Sequence, residues 1–173
     1  MSDTAEPAPT LDTLPAEAAS EVLRRCCGAA RWVTRMLERR PFGSRAAVLL
    51  AAAEVWAELG PEDFREAFAE HPEIGANLDE LRVKFAATAD LSRAEQSAAS
   101  GASEETLLGL RQGNQAYRAR FGYSFIVCAT GKSAEEMRHL LEARLGNSVE
   151  EELLVAAREQ AKITQLRLEK LGP

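Results

Sequence analysis

Three properties of this 173-residue sequence predict an all-α fold. Alanine, leucine, glutamate and arginine abound, whereas aromatic residues make up 6% and β-branched residues are sparse, a composition of strong helix formers. Apolar residues recur at three- and four-residue intervals along most of the chain. Serine caps, three of them with glutamate three residues on, and glycines bracket those periodic runs, as helix starts and stops do. The expectation is a single compact domain of about eight or nine helices over residues 13–173, with one short extended segment near 123–129. A polar, acidic, proline-bearing leader over residues 1–12 is expected to be disordered.

Taken in order, a first helix is expected from Pro15, with Thr13 as its cap and Ala18, Val22, Leu23 and Cys26 on its apolar face. It breaks near Gly28. A second segment presents Trp32, Val33, Met36 and Leu37 and halts at Arg39-Arg40-Pro41-Phe42-Gly43. Ser44 caps the next helix, which carries Val48, Leu49, Ala52, Val55, Trp56 and Leu59 and ends at Gly60. Pro61 opens a helix through Phe64, Ala67 and Phe68 that reaches His71. Pro72 disfavours the α conformation in the residue before it, so the helix should stop there.

Gly101 and Ser103 restart the chain, and a long helix follows through Leu107, Leu110, Asn114, Tyr117 and Phe121. Phe125-Ile126-Val127-Cys128-Ala129 is an apolar run with no helical period, bounded by glycines. Its backbone groups need partners, and either a core crossing or a bound ligand would supply them. Ser133 with Glu136 then forms a capping box for a helix of Met137, Leu140, Leu141 and Leu145, closed by Gly146. Ser148 with Glu151 repeats the device for a last helix to about Leu171. On it Arg167 lies between Ile163 and Leu171, so this arginine must either snorkel or meet an anion.

A net charge of −6 argues against a nucleic-acid or anionic-membrane surface, since both need a concentrated positive field. No apolar run is long enough to span a bilayer or serve as a signal peptide. The three cysteines, Cys26, Cys27 and Cys128, form neither a disulfide framework nor a zinc pattern. Reduced thiols in a cytoplasmic protein account for them. There is no metal-ligand spacing, no phosphate loop and no Ser-His-Asp order, and His139 belongs on a helix surface.

Chemistry concentrates between His71 and Gln96. His71 stands at a helix C-terminus, where the macrodipole favours an imidazolium. Ser92, Glu95 and Gln96 add a hydroxyl, a carboxylate and an amide, enough for a small polar site. The same Ser92-x-x-Glu95 spacing also reads as a capping box.

In order and spacing, the chain resembles the 2-oxo-4-hydroxy-4-carboxy-5-ureidoimidazoline (OHCU) decarboxylases of urate breakdown. The resemblance runs through Trp32 and Arg40-Pro41-Phe42, His71-Pro72 with Gly75, and Ser92-x-x-Glu95-Gln96. It continues through Tyr117-x-x-x-Phe121-Gly122, Phe125 to Ala129, and Lys162-Ile163-x-x-x-Arg167-Leu168. Two departures stand out: Ser124 replaces a usual proline, and Glu73 follows His-Pro where the family often has glycine or a basic residue. The resemblance implies decarboxylation of OHCU to (S)-allantoin without cofactor or metal, by a cytoplasmic homodimer. It implies His71 as catalytic acid beside Pro72, with Glu95 as the other catalytic residue. Pro72, Ser92, Gln96, Phe125, Ile126, Val127, Cys128, Ala129 and Arg167 would contact substrate. A non-catalytic helical interaction module, or an enzyme of a related ureido or purine-ring acid, is the competing expectation.

Overall fold

Serines head four of the described helices, and three of them, Ser44, Ser133 and Ser148, lie where serine was read as a cap. The computed structural model describes residues 9–72, 78–83 and 103–172. Among them every regular element is a helix: α1 (Thr10–Thr13), α2 (Ala16–Cys26), α3 (Ala30–Glu38), α4 (Arg45–Ala57) and α5 (Pro61–Ala69). Then come α6 (residues 78–83), α7 (Glu104–Phe121), α8 (Ala134–Leu145) and α9 (Val149–Glu169). Ser44, Ser103 and Ser133 each accept a hydrogen bond from the amide three residues on, and Glu136 reaches back to the Ser133 amide. Ser148 and Glu151 make the same reciprocal pair at the head of α9. Each such cap satisfies donors that a helix start otherwise leaves bare, worth about 1 kcal/mol.

The chain divides into two compact units: residues to Glu70 together with those from Ala157 onward, and His71–Ala156. In the first, α3 packs on α2, α4 and α5. Leu23, Trp32, Val33, Met36, Val55 and Phe68 are almost wholly buried there. Each tryptophan buries its ring and still finds an acceptor: Trp32 Nε1 donates to Ala52 O at 3.2 Å and Trp56 Nε1 to Ala157 O at 3.1 Å. Gln165 adds a bond to Leu49 O at 2.9 Å.

The start of this unit differs from expectation. Residues 1–8 lie outside the described residues, but Thr10–Thr13 is helical and Leu11 is 2% exposed. The Asp12 carboxylate accepts from the amides of Phe42 and Gly43 at 2.8–3.0 Å, and Arg40 donates to Leu14 O. A short polar segment thus gains a buried leucine and a carboxylate that closes the turn before α4, interactions that outweigh its composition. Thr13 does not cap α2. Its hydroxyl donates to Thr10 O at 3.0 Å, and Pro15 itself occupies the α2 cap position, with φ −55° and ψ 153°.

In the second unit α7 and α8 lie against each other. Gly109 and Gly113 permit the close approach: a Cβ on Gly113 would come within 2.5 Å of the Leu141 side chain, and one on Gly109 within 2.8 Å of Arg138. Gly122 ends α7 in the left-handed region at φ 84°, its amide bonded to Arg118 O at 2.9 Å. That turn releases the chain into residues 123–129, which are neither helix nor strand. His139 is exposed on α8, as expected. No described helix is long and apolar enough to cross a membrane.

Candidate active site

α5 ends at Ala69, with Glu70 as its C-cap, and His71-Pro72 occupies the bend that follows. Proline is the cause, since the residue before it resists the α conformation. His71 is half-buried. Ser92, Glu95 and Gln96, together with Glu73, lie outside the described residues.

The segment from Ser124 to Cys128 is buried throughout. It has no neighbouring strand among the described residues, so its carbonyls take side-chain donors. Arg144 Nη1 donates to Ile126 O at 2.6 Å, Lys132 Nζ to Cys128 O at 2.7 Å, and the Lys132 amide to Ala129 O at 3.1 Å. The backbone N–H groups of Phe125, Ile126 and Val127 have no acceptor among the described residues. Ser124, which stands where the resembled family usually has proline, accepts from Arg118 Nη1 at 3.3 Å. The rings of Tyr117, Phe121, Tyr123 and Phe125 cluster around the segment, with Tyr117 4.7 Å from Phe121 and 5.3 Å from Phe125.

Behind this segment lies a buried polar network that sequence reading missed. Arg144 is 7% exposed and Glu152 is 0%. Arg144 meets Glu152 Oε1 through Nε at 2.7 Å and Nη2 at 2.5 Å, and stacks its guanidinium 4.4 Å from the Phe125 ring centroid. Tyr117 Oη donates to the same oxygen at 2.5 Å, while Asn147 Nδ2 donates to Glu152 Oε2 at 2.9 Å. Burial, and then the bond to the Glu152 carboxylate, pushes the Tyr117 phenol far above its usual range, so it stays a donor. The signal was present. Arg144 continues the buried stripe of Met137 and Leu141, the kind of charged residue on an apolar face that drew notice at Arg167.

Arg167 neither snorkels freely nor meets an anion among the described residues. Its Nη1 donates to Arg25 O at 3.1 Å and to Cys26 O at 3.5 Å, satisfying carbonyls at the end of α2. Its Nη2 and Nε have no partner among the described residues. Cys26, Cys27 and Cys128 are buried and form no disulfide with one another, and burial raises Cys27 to about 11. No cluster of three or more His, Cys, Asp or Glu residues placed for a metal occurs among the described residues. Of the anticipated contact residues, the structure thus gathers Phe125 to Cys128 into one buried, side-chain-braced run, with Ala129 half-buried at its end. It sets His71-Pro72 at a helix end and Arg167 on the carbonyls of α2.

The sequence pattern of the OHCU decarboxylase family matches residues 12–169. The uric acid degradation bifunctional protein TTL of Arabidopsis thaliana is 37% identical over 149 residues, covering 84% of this chain and 45% of the relative. The chain therefore spans less than half of that plant protein. A 2-oxo-4-hydroxy-4-carboxy-5-ureidoimidazoline decarboxylase of Haloferax volcanii is 27% identical over 138 residues, 79% of either chain. A crystal structure of OHCU decarboxylase in the presence of (S)-allantoin matches with TM-score 0.71 and 33% identity, over 88% of this chain and 96% of that one. An (S)-allantoin synthase structure, 16% identical, matches in fold alone with TM-score 0.68.

Proposed function

This chain belongs to the OHCU decarboxylase family, and from that premise we propose that it decarboxylates OHCU to (S)-allantoin. The observation that carries the reading is the family match over residues 12–169, joined to 33% identity with an OHCU decarboxylase crystallised in the presence of (S)-allantoin.

The chemistry asks little of the protein beyond placement. Breaking the C–C bond releases CO2 and leaves an electron pair, which moves into the adjacent ring C=N. The hydroxyl-bearing carbon then becomes a carbonyl as a proton reaches one face of the carbon bearing the ureido group. Because the ring is its own electron sink, the reaction needs no cofactor. The protein's part is to orient the carboxylate, exclude water and deliver that proton. In this reading His71 is the acid beside Pro72, and Glu95 is the carboxylate that orients it or a substrate N–H. Ser92, Gln96, the backbone from Phe125 to Ala129 and the remaining donors of Arg167 hold the ring and its substituents. The unpartnered amides of Ile126 and Val127 support a ligand contact there, since an extended apolar run otherwise leaves such donors costly. We place the enzyme in the cytoplasm as a homodimer, the expectation that accompanies the family.

The test is a stopped assay on freshly generated OHCU, following allantoin by circular dichroism with and without EDTA. Accelerated, chelator-insensitive formation of the (S) enantiomer is expected. Racemic allantoin at the uncatalysed rate would refute the activity, and loss on chelation would refute cofactor independence.

A further inference from the structure

Arg144 has a reason to be buried that the fold alone does not require. Its fork is divided between two acceptors: Nε and Nη2 on Glu152, and Nη1 on the carbonyl of Ile126. Stacking on Phe125, the two bonds to Glu152 and the grip of Asn147 on Glu152 leave the guanidinium one orientation. The hold on Ile126 O therefore fixes a peptide plane. Among the described residues only Arg40–Pro41 is cis, so the peptide joining Ile126 to Val127 is trans. In a planar trans peptide the carbonyl and the following N–H point in opposite directions. With Ile126 O turned onto Arg144, the Val127 N–H must turn away from it. Lys132 repeats the arrangement two residues on: its ammonium holds Cys128 O, which turns the Ala129 N–H the other way. Neither Val127 nor Ala129 has an acceptor for its N–H among the described residues.

We propose that Arg144, anchored by Glu152, is a positioning residue that aims the Val127 N–H at a carbonyl or carboxylate oxygen of the bound ureido acid. The proposal rests on the decarboxylase reading and extends it to a residue outside the contact set. Arg144 touches no substrate. It acts through one backbone carbonyl, and its loss should show as weaker binding rather than slower chemistry. A donor bonded alike in ground state and transition state changes KM and leaves kcat.

Arg144→Lys keeps a positive charge beside Glu152, but a single ammonium cannot reproduce the fork across both acceptors. Tyr117→Phe is the structural control, because it loosens the same network and leaves the bond to Ile126 O in place. For Arg144→Lys, KM for OHCU should rise roughly 10-fold, about 1.4 kcal/mol, with kcat within about twofold. The Val127 amide resonance of the wild type should shift on titration with (S)-allantoin, and that shift should be lost in Arg144→Lys. Tyr117→Phe should lower the melting temperature with KM unchanged. An unchanged KM in Arg144→Lys, or a KM that rises equally in Tyr117→Phe, overturns the proposal. Should Arg144→Lys fail to fold, the wild-type titration decides alone, and an unperturbed Val127 amide refutes it. A wild type that is active on OHCU while failing these tests sinks only the role of Arg144. A wild type that neither turns over OHCU nor binds allantoin sinks the activity and this role together.

Discussion

Replacing Glu152 by glutamine isolates the energetics of the buried network. Glu152 has no solvent exposure and accepts from Tyr117, Arg144 and Asn147. Glutamine fits the space, but its NH2 cannot accept, so donors now face a donor on one side. The larger loss is charge. Arg144, 7% exposed, would be left without its counter-ion. Removing one member of a buried ion pair costs about 3–5 kcal/mol, because the partner's desolvation is no longer offset. For a chain of 173 residues the melting entropy is about 0.36 kcal/mol per kelvin, so the melting temperature should fall by roughly 10 °C. Calorimetry at neutral pH measures this directly. The double variant Arg144→Met with Glu152→Leu should regain most of the loss, since a well-packed apolar pair of similar volume is often as stable as the ions it replaces. A fall below about 3 °C in Glu152→Gln would refute the reasoning, because it would mean that water already screens the pair.

Three further outcomes follow from the same reading. His71→Ala should lower allantoin formation by ~10²–10⁴-fold with an unchanged helical circular-dichroism spectrum, and near-wild-type turnover in the folded variant would remove His71 from the chemistry. Glu95→Gln separates cap from catalyst: glutamine completes a capping box as well as glutamate, so a kcat/KM reduced by ~10-fold or more at similar melting temperature identifies a catalytic charge, and unaltered kinetics a structural one. Burial raises the Cys27 thiol from 9.0 to about 11, so the unfolded chain gives up that proton first as pH rises. Cys27 therefore lends its full stability below about pH 9 and loses it towards pH 11, by at most about 3 kcal/mol. Cys27→Ala should flatten that part of the pH–stability curve, and parallel curves for the two proteins would contradict the burial effect.

The sequence by itself determined the helical class, most of the helix starts and the non-helical run after Gly122. Those features are set within one turn of chain: Ser44, Ser103 and the Ser133–Glu136 and Ser148–Glu151 pairs bond residues three apart, so spacing alone reveals them. The order of motifs from Trp32 to Arg167 carried the family for a similar reason, because it needs no distances. Tertiary structure decided which distant groups meet. Asp12 closes a turn 30 residues away, against the composition of its own segment. Arg167 spends a donor on Arg25 O, 142 residues back, where spacing suggested only an arginine on an apolar stripe. Arg144 finds Ile126 O and Glu152 from α8 because α7, α8 and the start of α9 bury their apolar stripes and leave a guanidinium no water to face. A hydrogen bond within a turn is written in adjacent letters. A buried ion pair is dictated by desolvation, and desolvation exists only once the helices have packed.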